Sequence, residues 1–465
     1  MYLLFVLLYV FSVRQPSTMN DSTSASRPQI WWSNSIFFVA VHLAAFNGIY
    51  WLPPTIISWP TIALTYAMWQ LAEFGITIGY HRLWSHRAFR ATVGVRLVLA
   101  VLGSAGFQGS IKWWCLRHRL HHRFTDDPVH DPYAATRGLL YSHMGWIFFK
   151  PTYTRMELVD REDLDRDPVV RFQHKYYIPL ALFFGFAVPP LIGALWHDAF
   201  GAFVWAGLVS RLAVWHCTFF VNSLAHWDGL QPFSDENTSR GNLLLAVLTS
   251  GEGNHNFHHA FPHDFRSGPW IATWDPSKWA ILILHKLGLV SGLRQAREVD
   301  YKEAIAYMNH KSFHGVPPSA EDDEYDGESK TAGDTCQQWT IAKTKAYLKE
   351  HPTRCLVLLH GWVVDVTSYL GEHVSPFRSV LLDHRVAGVS PVSLLPFSLT
   401  TLSLQPGGAS LLRKYAVTPE DDEGADRKWR DASWAFDGGL NNHSRAACKR
   451  MKELRVAKIE TEAVS

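Results

Sequence analysis

The sequence has few cysteines, and their spacing excludes two common kinds of site. Its 465 residues include five cysteines and no CxxC pair, so neither a thiolate metal site nor a disulfide framework is indicated. They are scattered at Cys115, Cys217, Cys336, Cys355 and Cys448. Any bound metal must therefore be held by other ligands. The net charge is only +2, and no nucleic-acid partner is expected.

Apolar and aromatic residues are abundant instead, at 47% and 14% of the chain. Aromatic residues favour membrane interfaces and apolar tunnels. A bilayer-spanning helix needs about 20 mostly apolar residues. Four segments of this kind predict membrane spans at residues 36–52, 56–80, 178–196 and 201–221.

The distribution of basic residues predicts the orientation of these spans. The first two and their joint contain no Lys or Arg, and the fourth contains only Arg211. Basic regions follow the second and the fourth span, so both regions and both termini are expected on the cytosolic side. The alternative is that the four segments are buried helices of a large soluble core.

Histidine is the most informative residue type, with 24 copies. Eight lie in three runs, GYHRLWSH, RHRLHHRF and GNHNFHHAFP, namely His81, His86, His118, His121, His122, His255, His258 and His259. In the second and third runs the spacing is i, i+3, i+4, which places three imidazoles on one face of a helix. Each triplet could converge on one or two metal ions.

The number of imidazoles favours a two-metal site. Imidazole suits iron, zinc and copper, and eight ligands exceed what one ion accepts. Zinc hydrolysis uses about three protein ligands and an activated water, which would leave most of these histidines without a role. A redox-active pair of irons could reduce O2 and remove hydrogen from an unactivated CH2. That chemistry needs an apolar channel beside the metals and an electron donor.

The runs resemble the histidine boxes of membrane acyl-CoA desaturases. The longer stretches GITIGYHRLWSH, GSIKWWCLRHRLHHRFTDDPVHDPY, RGLLYSHMGWIFFKP and GEGNHNFHHAFPHDFR look most like fungal stearoyl-CoA Δ9 desaturases. The resemblance covers roughly residues 33–289. It implies a mainly α-helical, multi-pass enzyme of the endoplasmic reticulum membrane, with four spans under a cytosolic helical cap that carries a di-iron site.

The resemblance also implies two sets of iron ligands. The first set is His81, His86, His118, His122 and His258. The second set is His121, His226, His255 and His259. His226 enters through VNSLAHW; from the residues alone it reads as a helix-end histidine, and the resemblance makes it a ligand. Asn222 in the same run is expected to contact the metal through water.

Substrate contacts are implied at three positions. Asn34 and Lys150 lie where the animal enzymes contact the coenzyme A moiety, and Trp114 could line the acyl channel. Interface anchoring and capping are the alternative roles for Trp114 and Asn34. The sequence departs from the family pattern nearby, at Gly109, Leu116 and Arg117.

The reaction implied is oxidative. O2 and two electrons convert a long-chain saturated acyl-CoA, such as palmitoyl- or stearoyl-CoA, into its cis-Δ9 product and two waters. The electrons come ultimately from NADH through NADH-cytochrome b5 reductase. The protein supplies ligands for two iron ions and a bent apolar tunnel that selects the CH2 facing them.

The C-terminal region, residues 336–465, resembles a small α+β cytochrome b5 domain fused to the desaturase. It opens with QWTIAKTKAYLKEHPTRCLVLLHGWVVDVTSYLGEH, and His373 and His443 are the implied axial ligands of haem b. The Pro-Gly-Gly turn that should follow His373 appears only at Pro406. Residues 374–405 therefore interrupt the domain, and we expect a retained intron or, alternatively, a genuine loop insertion.

The remaining segments complete the predicted organisation. Residues 1–32 form an N-terminal tail whose first 18 residues read as a mis-assigned start or a targeting segment. Residues 33–310 form the desaturase domain, and the acidic stretch at 311–335 reads as a linker. Two other functions stay open: a di-iron membrane lipid hydroxylase, and a multi-histidine metal transporter or storage protein. Transport would require polar ligands within the spans.

Overall fold

The computed structural model describes residues 28–270, 272–318, 337–367, 415–417, 432–433 and 445–460. The chain divides into two compact units. The first comprises Met1–Met156 and Pro168–Pro317, and the second comprises Glu157–Asp167 and Pro318–Ser465. The expected helical class is confirmed, because most of the described residues of the first unit lie in helices.

The first unit is built from α-helices of very different length. In chain order they are Trp32–Trp51, Trp59–Phe74, Val93–Ala105, Ile111–Arg123, Leu139–His143, Pro168–Lys175, Tyr177–Leu182, Val188–Gly193, Ala199–Ala202, Ser210–Asn222, Leu243–Leu248, His255–Ala260, Pro276–Lys286 and Glu298–His314. Single turns of 3₁₀-helix connect several of them: Ala135–Arg137, Gly145–Phe148, Ala194–Trp196 and Leu224–His226. One two-stranded antiparallel ladder joins Arg90–Ala91 to Val290–Ser291.

Three helical runs in the described part of the chain are long and apolar enough to cross a membrane. They are Trp32–Trp51, Tyr177–Trp196 and Ala199–His226, which overlap the first, third and fourth predicted spans. The second predicted span forms the helix Trp59–Phe74, which continues as the π-helix Gly75–Ser85. This run is less apolar than the other three, because it contains Glu73 and Arg82 together with Trp, Tyr and Gly residues.

The π-helix Gly75–Ser85 positions the first histidine run. All of its residues are buried, and the histidine that follows it, His86, donates its backbone N–H to the carbonyl of His81 at 3.1 Å. A π-helix has a wider turn than an α-helix and often occurs at functional sites. Here it carries His81 directly from the helix Trp59–Phe74 into the buried interior.

An aromatic core packs the first long helix against the helix Ser210–Asn222. Phe38 stacks on Trp215 with ring centroids 5.5 Å apart, and Phe148 meets Phe38 edge to face at 5.7 Å. Phe219 and Leu212 complete this buried cluster. Aromatic pairs in such arrangements contribute beyond their buried area, by about 0.5–1.5 kcal/mol each.

The second unit contains a four-stranded sheet and three α-helices among its described residues, the first of them Glu162–Arg166. From one edge to the other the strands are Gln338–Trp339, Arg455–Ile459, Trp362–Asp365 and Leu356–Leu359, with only the first pairing parallel. The helix Ile341–Glu350 begins at Thr340, whose hydroxyl accepts the N–H of Lys343, and the third helix is Arg445–Glu453. His373, His443 and residues 374–405 lie outside the described residues.

Candidate metal centre

Local sequence explains how the histidine triplets come to lie on helices. Ser110 caps the helix Ile111–Arg123 by accepting the N–H of Trp113. Glycines let the chain turn tightly before the helix His255–Ala260. Gly251 has φ +128°, and a Cβ on Gly253 would lie 2.4 Å from the backbone nitrogen of Ala246.

The structure brings nine histidines together in two groups that coincide with the two expected ligand sets. In the first set the ligand atoms lie within 4.8 Å of one another: His81, His86, His118, His122 and His258. The same holds for the second set: His121, His226, His255 and His259. The sets adjoin, because the rings of His122 and His259 stack with centroids 4.4 Å apart.

Within each set the Nε2 atoms approach one another closely. In the first set the separations are 3.0 Å for His81 to His258, 2.9 Å for His122 to His258 and 2.7 Å for His86 to His118. In the second set, His255 lies 3.1 Å from His226 and 3.0 Å from His259. Donors about 2.1 Å from one ion and at right angles to each other would be about 3.0 Å apart.

The hydrogen-bond partner of His81 fixes which of its nitrogens is free. Its Nδ1 lies 3.1 Å from a carboxylate oxygen of Glu252. A carboxylate only accepts, so Nδ1 carries the proton and Nε2 exposes a lone pair toward Nε2 of His258. A cation between the two rings would bind this lone pair.

The second set has the same arrangement at two of its members. Nδ1 of His121 lies 2.9 Å from both oxygens of Asp131. Nδ1 of His226 lies 2.9 Å from the hydroxyl of Thr238, which itself donates to Asp126 at 2.7 Å. Both rings therefore direct an unprotonated Nε2 into the set. Such outer partners are typical of metal-bound histidines and raise the basicity of the ligand.

Burial keeps most of these rings neutral. It lowers the pKa well below 6.5 for seven of them, and neighbouring imidazoles lower it further: His86, His118, His122, His226, His255, His258 and His259. Only a neutral imidazole binds a metal. The donor sets therefore fit two imidazole-preferring ions, such as iron.

A buried network of charged side chains contacts the Nδ1 side of His81, which belongs to the first set. Arg82 donates to Glu252 at 3.1 Å and to Asp275 at 2.9 Å. Burial alone would raise the pKa of Glu252, but the hydrogen bonds from His81 and Arg82 and the charge of Arg82 outweigh burial and lower this pKa below its ordinary value. Glu252 therefore stays ionised and can hold the His81 proton at Nδ1.

The residues expected to contact substrate take several positions. Trp114 stacks on His118 with centroids 4.9 Å apart, and its Nε1 donates to Gln108 at 3.3 Å. Asn34 lies in the first turn of the helix Trp32–Trp51 and donates to the carbonyl of Ile147 at 2.9 Å, a tertiary contact rather than a helix cap. Lys150 is exposed, and Asn222 is half-buried at the end of its helix.

Sequence reasoning missed the partners that orient the histidines. They are Asp126, Asp131, Thr238, Glu252 and, beside Trp114, Gln108. Three of these had a usable signal, since Glu252 lies within GEGNH and both aspartates follow RHRLHHRF within ten residues. Thr238 and Gln108 had none, because no motif marks either residue, although Gln108 lies only six positions from Trp114 and Thr238 twelve from His226.

The fold and the site together define a class: a helical protein with membrane-length apolar helices and two adjacent all-imidazole metal sets. Comparison with known proteins agrees, because residues 57–270 match the fatty acid desaturase family. A probable acyl-CoA desaturase of Schizosaccharomyces pombe is 33% identical over 427 residues, covering 92% of this chain and 77% of the relative.

Two further relatives are similar. Acyl-CoA desaturase 1 of Saccharomyces cerevisiae is 35% identical over 387 residues, which cover 83% of this chain and 65% of that protein. Stearoyl-CoA desaturase 5 of Homo sapiens is 35% identical over 282 residues, covering 58% of this chain and 82% of the relative. The chain belongs to the fatty acid desaturase family.

Proposed function

We propose that this protein is an oxygen-dependent acyl-CoA Δ9 desaturase that inserts a cis double bond into long-chain saturated acyl-CoA. The observation that carries the proposal is the pair of histidine sets, whose Nε2 atoms lie 2.7–3.1 Å apart beside membrane-length apolar helices. Relatives named acyl-CoA, Δ9 fatty-acid and stearoyl-CoA desaturases support the substrate and the position.

The two sets would hold two iron ions. Bound irons supply the activation of O2 and the removal of two hydrogens from an unactivated CH2–CH2 unit. Glu252 and Asp131 keep the Nδ1 protons of His81 and His121, so each Nε2 stays available to its ion. Asn222 would contact the second site through water.

Trp114 would fix the acyl chain close to the first iron. Its indole lies flat on the ring of His118, and its orientation depends on Gln108, which also donates to the hydroxyl of Thr218 at 2.7 Å. A rigid aromatic wall beside a ligand limits which CH2 groups can reach the metal. Asn34 and Lys150 would lie near the coenzyme A moiety.

The enzyme would span the endoplasmic reticulum membrane four times with both termini in the cytosol. The run Trp59–Ser85 would be the second span, although it is less apolar than the other three. This orientation places the histidine sets on the same side as NADH-cytochrome b5 reductase, the expected partner for electron supply.

The second unit would deliver electrons as a cytochrome b5-like domain with His373 and His443 as haem ligands. Residues 374–405 separate His373 from its Pro-Gly-Gly turn. We therefore expect the full chain to bind haem weakly or not at all, and deletion of residues 374–405 to restore a b5-type Soret band. A normal Soret spectrum from the full chain would contradict this expectation.

Complementation tests the proposed function. The chain, with and without residues 374–405, is expressed in yeast cells that lack Δ9 desaturase, and total fatty acids are profiled. Restored 16:1 and 18:1 acids are expected. Hydroxylated lipid would instead indicate a di-iron hydroxylase, and altered metal content without any new fatty acid would indicate metal transport or storage.

A further inference from the structure

Three histidines outside the metal centre form a continuous hydrogen-bonded chain between three helices. Nε2 of His42 lies 3.0 Å from Nε2 of His216, and Nδ1 of His216 lies 3.0 Å from Nε2 of His143. One end of the three rings meets a backbone carbonyl, and the other meets a hydroxyl. Nδ1 of His42 is 2.7 Å from the carbonyl of Phe38, and Nδ1 of His143 is 3.0 Å from the hydroxyl of Ser223.

Counting protons shows that this chain is one proton short. The hydroxyl of Ser223 also contacts the carbonyl of Phe219 at 2.8 Å, so the chain has five contacts between two terminal acceptors. Each contact needs one proton. Three neutral imidazoles and one hydroxyl supply four. With all groups neutral, one of the five contacts therefore lacks a proton, and a shift of single protons moves the vacancy along the chain.

The surroundings keep the chain neutral at rest. Burial lowers the pKa of His143 to about 4. Among the described residues, no carboxylate lies within salt-bridge distance of any of the three rings. Aromatic side chains pack against them instead, with Phe38 over His42 and Phe220 over His143. An added proton would complete the chain but would not be held by a counter-charge, so the chain could accept it and release it again.

The Ser223 end lies at the turn that carries a metal ligand. The carbonyl of Ser223 accepts the N–H of His226 at 3.1 Å, and Asn222 precedes it. In the other direction, the hydrogen-bonded chain continues from His143 through His216, which is half-buried, to His42 in the first long helix. One end of the chain therefore lies three residues before a ligand of the second histidine set, and the other end lies at His42, outside the metal centre.

We propose that Ser223, His143, His216 and His42 conduct protons to the site of O2 reduction, an inference that rests on the proposed function. Desaturation reduces O2 to two waters with two electrons, two hydrogens from the substrate and two protons from outside. The metal centre is buried, so protein groups must carry these protons. A ring with two nitrogens can accept a proton at one and release another from the other.

Substitutions at His216 separate conduction from mere structural support. His216→Gln keeps a donor and an acceptor but cannot pass a proton between two ring nitrogens, whereas His216→Phe removes both groups. His197→Asn is the matched control, because His197 is exposed, and Asn tolerates its φ of 61°. Iron content, desaturated product per O2 consumed and H2O2 released are measured for each purified variant.

Both His216 variants should retain iron yet form product about 10-fold less efficiently per O2, with a matching rise in H2O2, while the control is unchanged. This is a modest share of the roughly 10²–10⁴-fold contribution of a positioned proton donor. A structural role predicts that the Gln variant behaves like the wild type. That result would overturn the proposal.

A second measurement does not depend on activity. Solid-state NMR of metal-free, ¹⁵N-histidine-labelled wild type should show hydrogen-bonded ring nitrogens with exchange-averaged shifts, and His216→Gln should lose them. Fixed tautomers in the wild type would refute conduction. If the wild type forms no desaturated product at all, the proposed function fails, and the NMR result decides whether the proton chain exists.

Discussion

Replacing Asp131 with asparagine tests how the second histidine set is held. The carboxylate of Asp131 accepts from Nδ1 of His121 and also from the backbone N–H groups of Asp126 and Tyr133, at 3.0 and 3.1 Å. Asp131→Asn keeps the shape but removes the charge and turns one acceptor into a donor. Nδ1 of His121 lies 2.9 Å from both oxygens, and each oxygen also accepts one backbone N–H, so in either orientation the amide NH2 faces the N–H of Asp126 or that of Tyr133. The His121 ring therefore keeps only one neutral acceptor in place of a carboxylate, and its tautomer is held less firmly.

The magnitude follows from the chemistry of such partners. Mutation of an outer partner typically lowers metal affinity about 10- to 100-fold, which corresponds to about 1.4–2.7 kcal/mol. Asp131 is only 3% exposed, so water cannot replace the lost acceptor. The first set does not contact Asp131 and should keep its ion. We therefore expect iron content to fall from two toward one per chain.

Metal analysis of the purified protein during chelator titration measures this loss. Asp127→Asn is the matched control, since Asp127 makes the same contact to His130, at 2.8 Å, but His130 belongs to neither set. The reasoning is refuted if the Asp131 variant keeps both ions at wild-type affinity, or if the control loses as much metal. Retention of one ion shows that the variant is folded.

Three further outcomes are expected. Glu252→Gln should release metal from the first set and lower thermal stability, because breaking a buried charged pair costs about 3–5 kcal/mol; unchanged metal content and melting would contradict this. Gln108→Leu should keep both metals but change the position or lower the yield of the double bond measured by mass spectrometry, because Trp114 loses its hydrogen-bond partner. Gln337→Leu is the control, since Gln337 makes the same contact to Trp339, and it should leave the double bond unchanged. Metal-free protein should lose stability as the pH falls below 6.5, because seven rings bind protons in the unfolded chain but not in the folded protein. Each ring contributes about 1.4 kcal/mol per pH unit until its folded pKa is reached. A melting temperature that does not change between about pH 7.5 and 5.5 would contradict that expectation.

The histidine runs could be predicted from sequence because their spacing is local. The i, i+3, i+4 pattern places His118, His121 and His122 on one helix face, but it does not divide them between two ions. That division depends on how the separate elements that carry the histidines pack together in the fold. The family resemblance implied a set of five and a set of four histidines, and the structure groups the rings in the same two sets.

Non-local contacts account for most of what the sequence did not predict. From its local sequence, His226 is predicted to be only a residue at the end of a helix. It lies next to His255 in the folded chain although the two are 29 positions apart in sequence. The partner Thr238 is a polar loop residue with no pattern of its own, whereas Glu252 is marked only by its place in GEGNH. Hydropathy predicted the spans well where aliphatic residues dominate and less well at Trp59–Phe74, where Trp, Tyr and Gln lower the mean hydropathy.

Product analysis of purified, iron-loaded chain tests the central claim most directly. The protein is supplied with stearoyl-CoA, O2 and a cytochrome b5 electron source, and the acyl products are identified by mass spectrometry together with the iron content. We predict two irons per chain and a cis-Δ9 monounsaturated product that requires O2. A hydroxylated product, or no product from a chain that holds both irons, would contradict the account.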